Sequence, residues 1–191
     1  MGFARSILMR MFGRPKGVLG RLGGVIMART NRTAANLVID LLDVQPGDKV
    51  LEVGFGPGVG IQLLAQRASA GRLAGVDPSH EMVKQAAARN AETVSAGRVD
   101  LRQGSVQTLP FPDQTFDKAM AINSMQVWPD VGAGLREMRR VLKPGGKLAL
   151  GFTTHSGQAR NGVTESLTTA GFANAQIVES KDLFCAIASR P

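Results

Sequence analysis

Between Lys49 and Gly60 the chain reads K-V-L-E-V-G-F-G-P-G-V-G, and this stretch limits the fold more than any other. An apolar run, Val50, Leu51 and Val53, carries one carboxylate, Glu52, and gives way to Gly54, Gly56, Gly58 and Gly60. A helical apolar period follows at once, at Ile61, Leu63, Leu64, Ala65 and Ala68. That is the pattern of a strand, a tight turn and a helix. Glycine reaches positive φ and leaves no Cβ between backbone and ligand. The first N–H groups of the helix point back into the same space. The stretch therefore builds a nucleotide-sized cradle at the carboxyl end of a first strand, where open α/β sheets bind ligands.

Spacing narrows the nucleotide. A dinucleotide fingerprint needs G-x-G-x-x-G/A. Counted from Gly54 its third position falls on Val59, and from Gly56 on Ile61, so neither frame fits. The observed pattern is E-x-G-x-G-x-G, with the acid two residues before the first glycine. A carboxylate there can accept from an ammonium or from a neighbouring backbone N–H, and it would repel a pyrophosphate.

Strands and helices alternate along the rest of the chain. A helix is expected over 31–44, then strands at Lys49–Val53, Leu73–Val76, Val99–Arg102, Phe116–Ile122 and Lys147–Phe152. Helices are expected from Gly60 to about Ala68, over His80–Asn90, over Val131–Leu142 and over Arg160–Ala170. Two β-rich runs, Ala175–Glu179 and Leu183–Ala188, close the chain. Alternation of this kind implies a mostly parallel sheet with helices on both faces. The last two strands are separated only by Ser180–Asp182, too short for a parallel crossover, so the end of the sheet should be antiparallel.

At 191 residues, 43% of them hydrophobic, the chain suits one domain with a full core, and no apolar run approaches membrane-spanning length. Its single thiol, Cys185, lies in an apolar run, forms no intrachain disulfide and fits a reducing, cytoplasmic setting. No C-x-x-C or H-x-x-x-H spacing suggests a metal. The net charge of +8 is uneven. Arg5, Arg10, Arg14, Lys16, Arg21, Arg29 and Arg32 stand among residues 1–39 with no acid, leaving 16 bases against 15 acids elsewhere. Residues 1–33 thus form a basic arm, with Phe3, Ile7, Leu8 and Met11 on one helical face of its start. Three readings of it are open: a lid over the cofactor that reaches the acceptor pocket, an attachment to anionic lipid or nucleic acid, and a targeting peptide.

Four features come in order: the glycine turn, Asp77 at the end of the second strand, Gly104-Ser105-Val106 after the third, and L-K-P-G-G before the fifth. With V-D-P-S-x-x-M and L-P-F-P-D-x-x-F-D between them, residues 34–191 resemble the class I S-adenosylmethionine-dependent methyltransferases, most of all the branch acting on small, quinone-type and other lipophilic molecules. The resemblance implies an α/β fold with a seven-stranded, mostly parallel sheet, an antiparallel last strand and helices on both faces. It also implies S-adenosylmethionine as methyl donor and S-adenosylhomocysteine as product. Glu52 and the backbone at Gly54, Phe55 and Gly56 would hold the methionine end, with Gly58 close by. Asp77 would take the ribose hydroxyls, and Pro78 and Met82 would pack on adenine. Ser105 replaces the family's aspartate near the adenine amine, so contact there would rest partly on the Val106 backbone. Asn123 would face the methyl-transfer site.

The acceptor side departs from the family pattern. Gln126 stands where many relatives carry histidine, which leaves a general base unassigned between Gln126 and His155. Asn31, Gln126, Trp128 and His155 are the candidate acceptor contacts, whereas His80 reads as an exposed helix-start residue. No Asn/Asp-Pro-Pro-aromatic segment follows the fourth strand, and the chain has no Tyr for a stacking platform, so nucleic-acid bases are disfavoured as acceptor. A small-molecule acceptor is expected, without metal, and with peripheral membrane contact through the arm left open. The competing readings are an RNA-modifying methyltransferase and a non-catalytic cofactor-binding protein.

Overall fold

A computed structural model describes residues 32–181 and 183–191. Most of the basic arm, Asn31 and Asp182 lie outside the described residues. The described chain begins with helix α1 over 32–42. It continues through β1 (Lys49–Val53), α2 (Val59–Arg67), β2 (Arg72–Asp77), α3 (His80–Arg89), α4 (Ala91–Ser95), β3 (Val99–Gln103) and β4 (Phe116–Ile122). It ends with α5 (Val131–Val141), β5 (Leu142–Thr153), α6 (Val163–Thr169), β6 (Ala173–Ser180) and β7 (Leu183–Ser189).

The seven strands form one sheet in the order β3-β2-β1-β4-β5-β7-β6. β1 to β5 pair in parallel, and β7 inserts between β5 and β6, antiparallel to both. The direction of winding reverses between β1 and β4, which opens a crevice at their carboxyl ends. Strand residues alternate between two cores. Leu51, Val53, Leu148 and Leu150 meet Leu135 and Met138 of α5 on one face. Val50, Met120 and Ala149 meet Val38 and Ile39 of α1 and Ile61 and Leu64 of α2 on the other. A Cβ on Gly151 would lie 2.6 Å from Val38 Cγ2, so α1 crosses β5 in close contact.

Two expectations needed correction. Lys143–Gly146 is not a plain turn before a strand at Lys147: β5 starts at Leu142, and pairing with β4 jumps from Phe116↔Leu142 to Lys118↔Lys147. The extra residues bulge out at Gly145 (φ 76°) and bond to the chain end, Gly145 N–H to Arg190 O and Arg190 N–H to Gly146 O, both 2.8 Å. The Arg190 guanidinium also donates to the carbonyls of Arg139, Arg140 and Leu142, capping α5. Helix α6 is shorter than expected because Gly162, at φ 85°, sets its start. Helix α4 was not anticipated; it buries no residue, so it carries no apolar period to read. The P-F-P-D loop is held to α5, where Arg140 donates to Leu109 O, Phe111 O and Asp113 while Glu137 accepts from Leu109 N–H. Among the described residues no helix is long and apolar enough to cross a membrane.

Candidate active site

Alternation along β1 sends Leu51 and Val53 into one core and leaves Glu52 under α1 and α2, only 3% exposed. The chain then turns through Gly54, Gly56 and Gly58, all in the left-handed region (φ 71°, 53° and 81°), and α2 begins at Val59. The helix start therefore lies directly on the carboxyl group. A Cβ on Gly60 would run into both Glu52 oxygens, so only glycine lets the helix approach this closely. The Ile61 N–H bonds to the carboxyl, and Oε2 has no partner. Glu52, Ala35, Gly54, Pro57 and Ile122 line a small cleft at this point. Burial first, and the neighbouring Asp77 charge second, push the Glu52 carboxyl up to about 8.

Asp77 closes β2 and ties two turns together. One oxygen accepts from Gly56 N–H at 2.9 Å and the other from Ser79 N–H at 2.8 Å. It is 6% exposed, and burial raises its carboxyl above the usual range despite these two bonds. The Phe55 ring packs against the Gly75 backbone, where a Cβ would lie 2.5 Å from it. Pro78 is exposed, and Met82 is buried under the first turn of α3, which Ser79 caps.

Residues beyond the sequence expectation hold this turn in place. Asn90 is buried and donates to Gly58 O at 3.1 Å and to Ala86 O at 2.9 Å. Arg89 Nε donates to Pro57 O at 2.8 Å. Both sit at the end of α3, and the only sequence signal for them was a polar pair where the helical period stops. Ser124 packs against Gly54 so closely that a Cβ there would clash with its hydroxyl, and it accepts from Trp128 Nε1 at 2.8 Å.

The remaining candidates lie on loops along the same sheet edge. Ser105 Oγ accepts from Gln107 N–H at 3.2 Å, and the Val106 side chain is buried in the core. Asn123, at φ 47°, accepts through Oδ1 from Thr153 N–H at 2.8 Å and so links the ends of β4 and β5. Gln126 Oε1 is buried without a partner. Trp128 is half-buried against Gly134 of α5, where a Cβ would lie 2.8 Å from the ring. His155 is exposed in the short helical turn Thr154–Ser156 that follows β5. His80 is exposed at the start of α3. Burial pushes the Cys185 thiol up to about 12, so it is inert as a nucleophile.

The structure thus gathers Glu52, Gly54, Gly56, Gly58 and Asp77 into one hydrogen-bonded cradle. Ser105, Asn123, Gln126 and His155 stand on loops that follow β3, β4 and β5. A buried acid with an unpartnered oxygen beside a glycine turn fits a ligand that brings an amine cation. The two carboxyl groups of Glu52 and Asp77 beside the turn do not suit a pyrophosphate, and among the described residues no group of His, Cys, Asp and Glu could hold a metal.

Comparison with known proteins bears on the family and the fold. Residues 51–150 match the family described as Methyltransferase domain. The uncharacterized methyltransferase YdaC of Bacillus subtilis is 35% identical over 182 residues, 89% of this chain and 98% of that protein. The ubiquinone/menaquinone biosynthesis C-methyltransferase UbiE of Geotalea daltonii is 29% identical over 130 residues, 68% of this chain and 55% of that protein. The crystal structure of an S-adenosylmethionine-dependent methyltransferase from Aquifex aeolicus superposes with a TM-score of 0.75 at 22% identity, covering 84% of this chain and 93% of that one.

Proposed function

Because this chain belongs to the class I S-adenosylmethionine-dependent methyltransferases, we propose that it methylates a small lipophilic molecule bearing an ionisable hydroxyl, such as a quinol or phenol. The observation that carries the donor side is the unpartnered Oε2 of Glu52 facing the glycine turn. When bound, S-adenosylmethionine supplies an electrophilic methyl carbon on a positively charged sulfur. Glu52 would hold the amine of the methionine end, and the left-handed glycines would let the backbone close on it. Asp77 has lone pairs left on both oxygens after its two backbone bonds, enough for a pair of ribose hydroxyls. Ser105 and Val106 would border the adenine.

On the acceptor side, the buried Gln126 Oε1 can take a hydrogen bond from an acceptor hydroxyl but cannot remove its proton. His155, exposed on the turn that follows β5, is the candidate base. A base is needed only when the nucleophile must be deprotonated before attack; otherwise positioning lowers the barrier. Two observations support a lipophilic acceptor. One relative named above is a quinone methyltransferase. The basic, partly apolar arm leads directly into α1, whose Ala35 lines the cleft. The arm is therefore proposed as a lid over the acceptor, with contact to an anionic membrane surface as its second role.

Release of S-adenosylhomocysteine in the presence of isoprenoid quinols, simple phenols, polar small molecules and RNA tests this reading. Turnover with the quinols or phenols is expected. Turnover with RNA alone would overturn it.

A further inference from the structure

We infer that Glu52 is a proton-exchanging counter-charge that selects ligands carrying an amine cation: it sheds its proton to solvent as the cation seats on Oε2. This rests on the donor assignment and adds to it the basis of selectivity and a pH response.

Three observations place the exchange at Glu52. The residue is 3% exposed, and its Oε2 meets no donor. The cleft lined by Gly54, Pro57 and Gly60 opens on it. Among the described residues, none that lines the cleft brings a positive charge. β2 contributes only Asp77, a like charge, and β4 contributes Met120 and Ile122. The wall from α2 is Val59, Gly60 and the Ile61 N–H, and that from α1 is Ala35. From α3, Arg89 reaches the turn but is bound to Pro57 O. An unpaired carboxylate in such a place is costly, so a proton occupies it until a cation replaces that proton. A ligand with no amine leaves the proton where it is and gains nothing from Glu52.

Isothermal titration of the full chain with S-adenosylhomocysteine, in buffers of low and high ionisation enthalpy, counts the protons released. At pH 7 the expected count approaches one per ligand. The affinity should weaken about tenfold from pH 7 to 6, the slope of a single linked proton, and level off above about pH 8. Methylthioadenosine, which lacks the amine, should bind with no proton exchange. Glu52→Gln should abolish both the release and the slope. Binding without proton release, or release that persists in Glu52→Gln, overturns the inference and leaves the donor assignment intact. Absence of binding by either nucleoside overturns the donor assignment itself. If Glu52→Gln does not fold, the comparison of the two nucleosides on the natural chain decides the matter.

Discussion

A residue's worth at this site depends on what lies within one atom of it. Gly60 is not in a left-handed conformation; its constraint is the Glu52 carboxyl against it. Gly60→Ala should therefore cost ~1–3 kcal/mol through overpacking and also weaken S-adenosylhomocysteine binding, as thermal melts with and without ligand would register. Glu52 itself is a destabilising residue at neutral pH. Its carboxyl is raised from 4.5 in the unfolded chain to about 8 in the fold. The folded state keeps a proton that the unfolded state releases, so this group's contribution is complete below pH 4.5 and is lost as pH rises towards 8. Relative to Glu52→Gln, the natural chain should lose ~1.4 kcal/mol per pH unit within that window, measured by urea unfolding at several pH values. Asp77→Ala removes the acceptor of the Gly56 and Ser79 amides together with the proposed ribose contact. At least about tenfold weaker cofactor binding, ~1.4 kcal/mol, is expected by titration, and unchanged affinity would show that the ribose sits elsewhere.

At the scale of elements, the cradle is held by the end of α3 as much as by β1. Asn90 bridges the last turn of that helix to Gly58, where a Cβ would lie 2.8 Å from its amide nitrogen. Asn90→Ala should cost ~1 kcal/mol by removing the side-chain bridge, although Gly58 O and Ala86 O each keep a helical amide donor. Hydrogen exchange should then quicken at the α2 start and the α3 end together, whereas exchange confined to α3 would mean the bridge is not shared. At the far end of the sheet the β5 bulge, the C-cap of α5 and the chain end are one assembly built on Arg190. The K-P-G-G run, which resembles a family signature in sequence, serves that assembly in the fold: Gly145 takes the positive φ and Gly146 accepts the Arg190 amide. The P-F-P-D loop has a similar role, through Arg140, the T-shaped pair of Phe111 and Phe116, and Arg102 over the Phe111 ring.

For the whole molecule, the sheet order puts the reversal of winding between β1 and β4, and every candidate site residue in the described chain falls on the edge it opens. The basic arm belongs to this scale as well, because it enters the fold through α1, which packs across β5 and lines the cleft. Deleting residues 1–28 should leave a folded domain that binds S-adenosylhomocysteine but transfers methyl groups poorly. Full activity in that truncation would remove the lid proposal, and binding of the natural chain to anionic vesicles that weakens with salt would support the surface role.

The sequence by itself determined the order of the strands and of the helices that carry an apolar period, the glycine turn, and the places of Glu52 in β1 and Asp77 at the end of β2. These follow from local spacing: the period of apolar residues, and the positions at which only glycine or a carboxylate suits the backbone. It could not show that Glu52 is buried beside Asp77, that Asn90 and Ser124 brace the glycine turn, or that Arg190 closes α5 some 50 residues upstream. Such pairings join distant parts of the chain, and short polar side chains at helix ends and loops carry no period that announces a partner. Burial turns an ordinary carboxyl into one that holds a proton at neutral pH, and only the tertiary structure decides burial, because it depends on which helix lies over which strand.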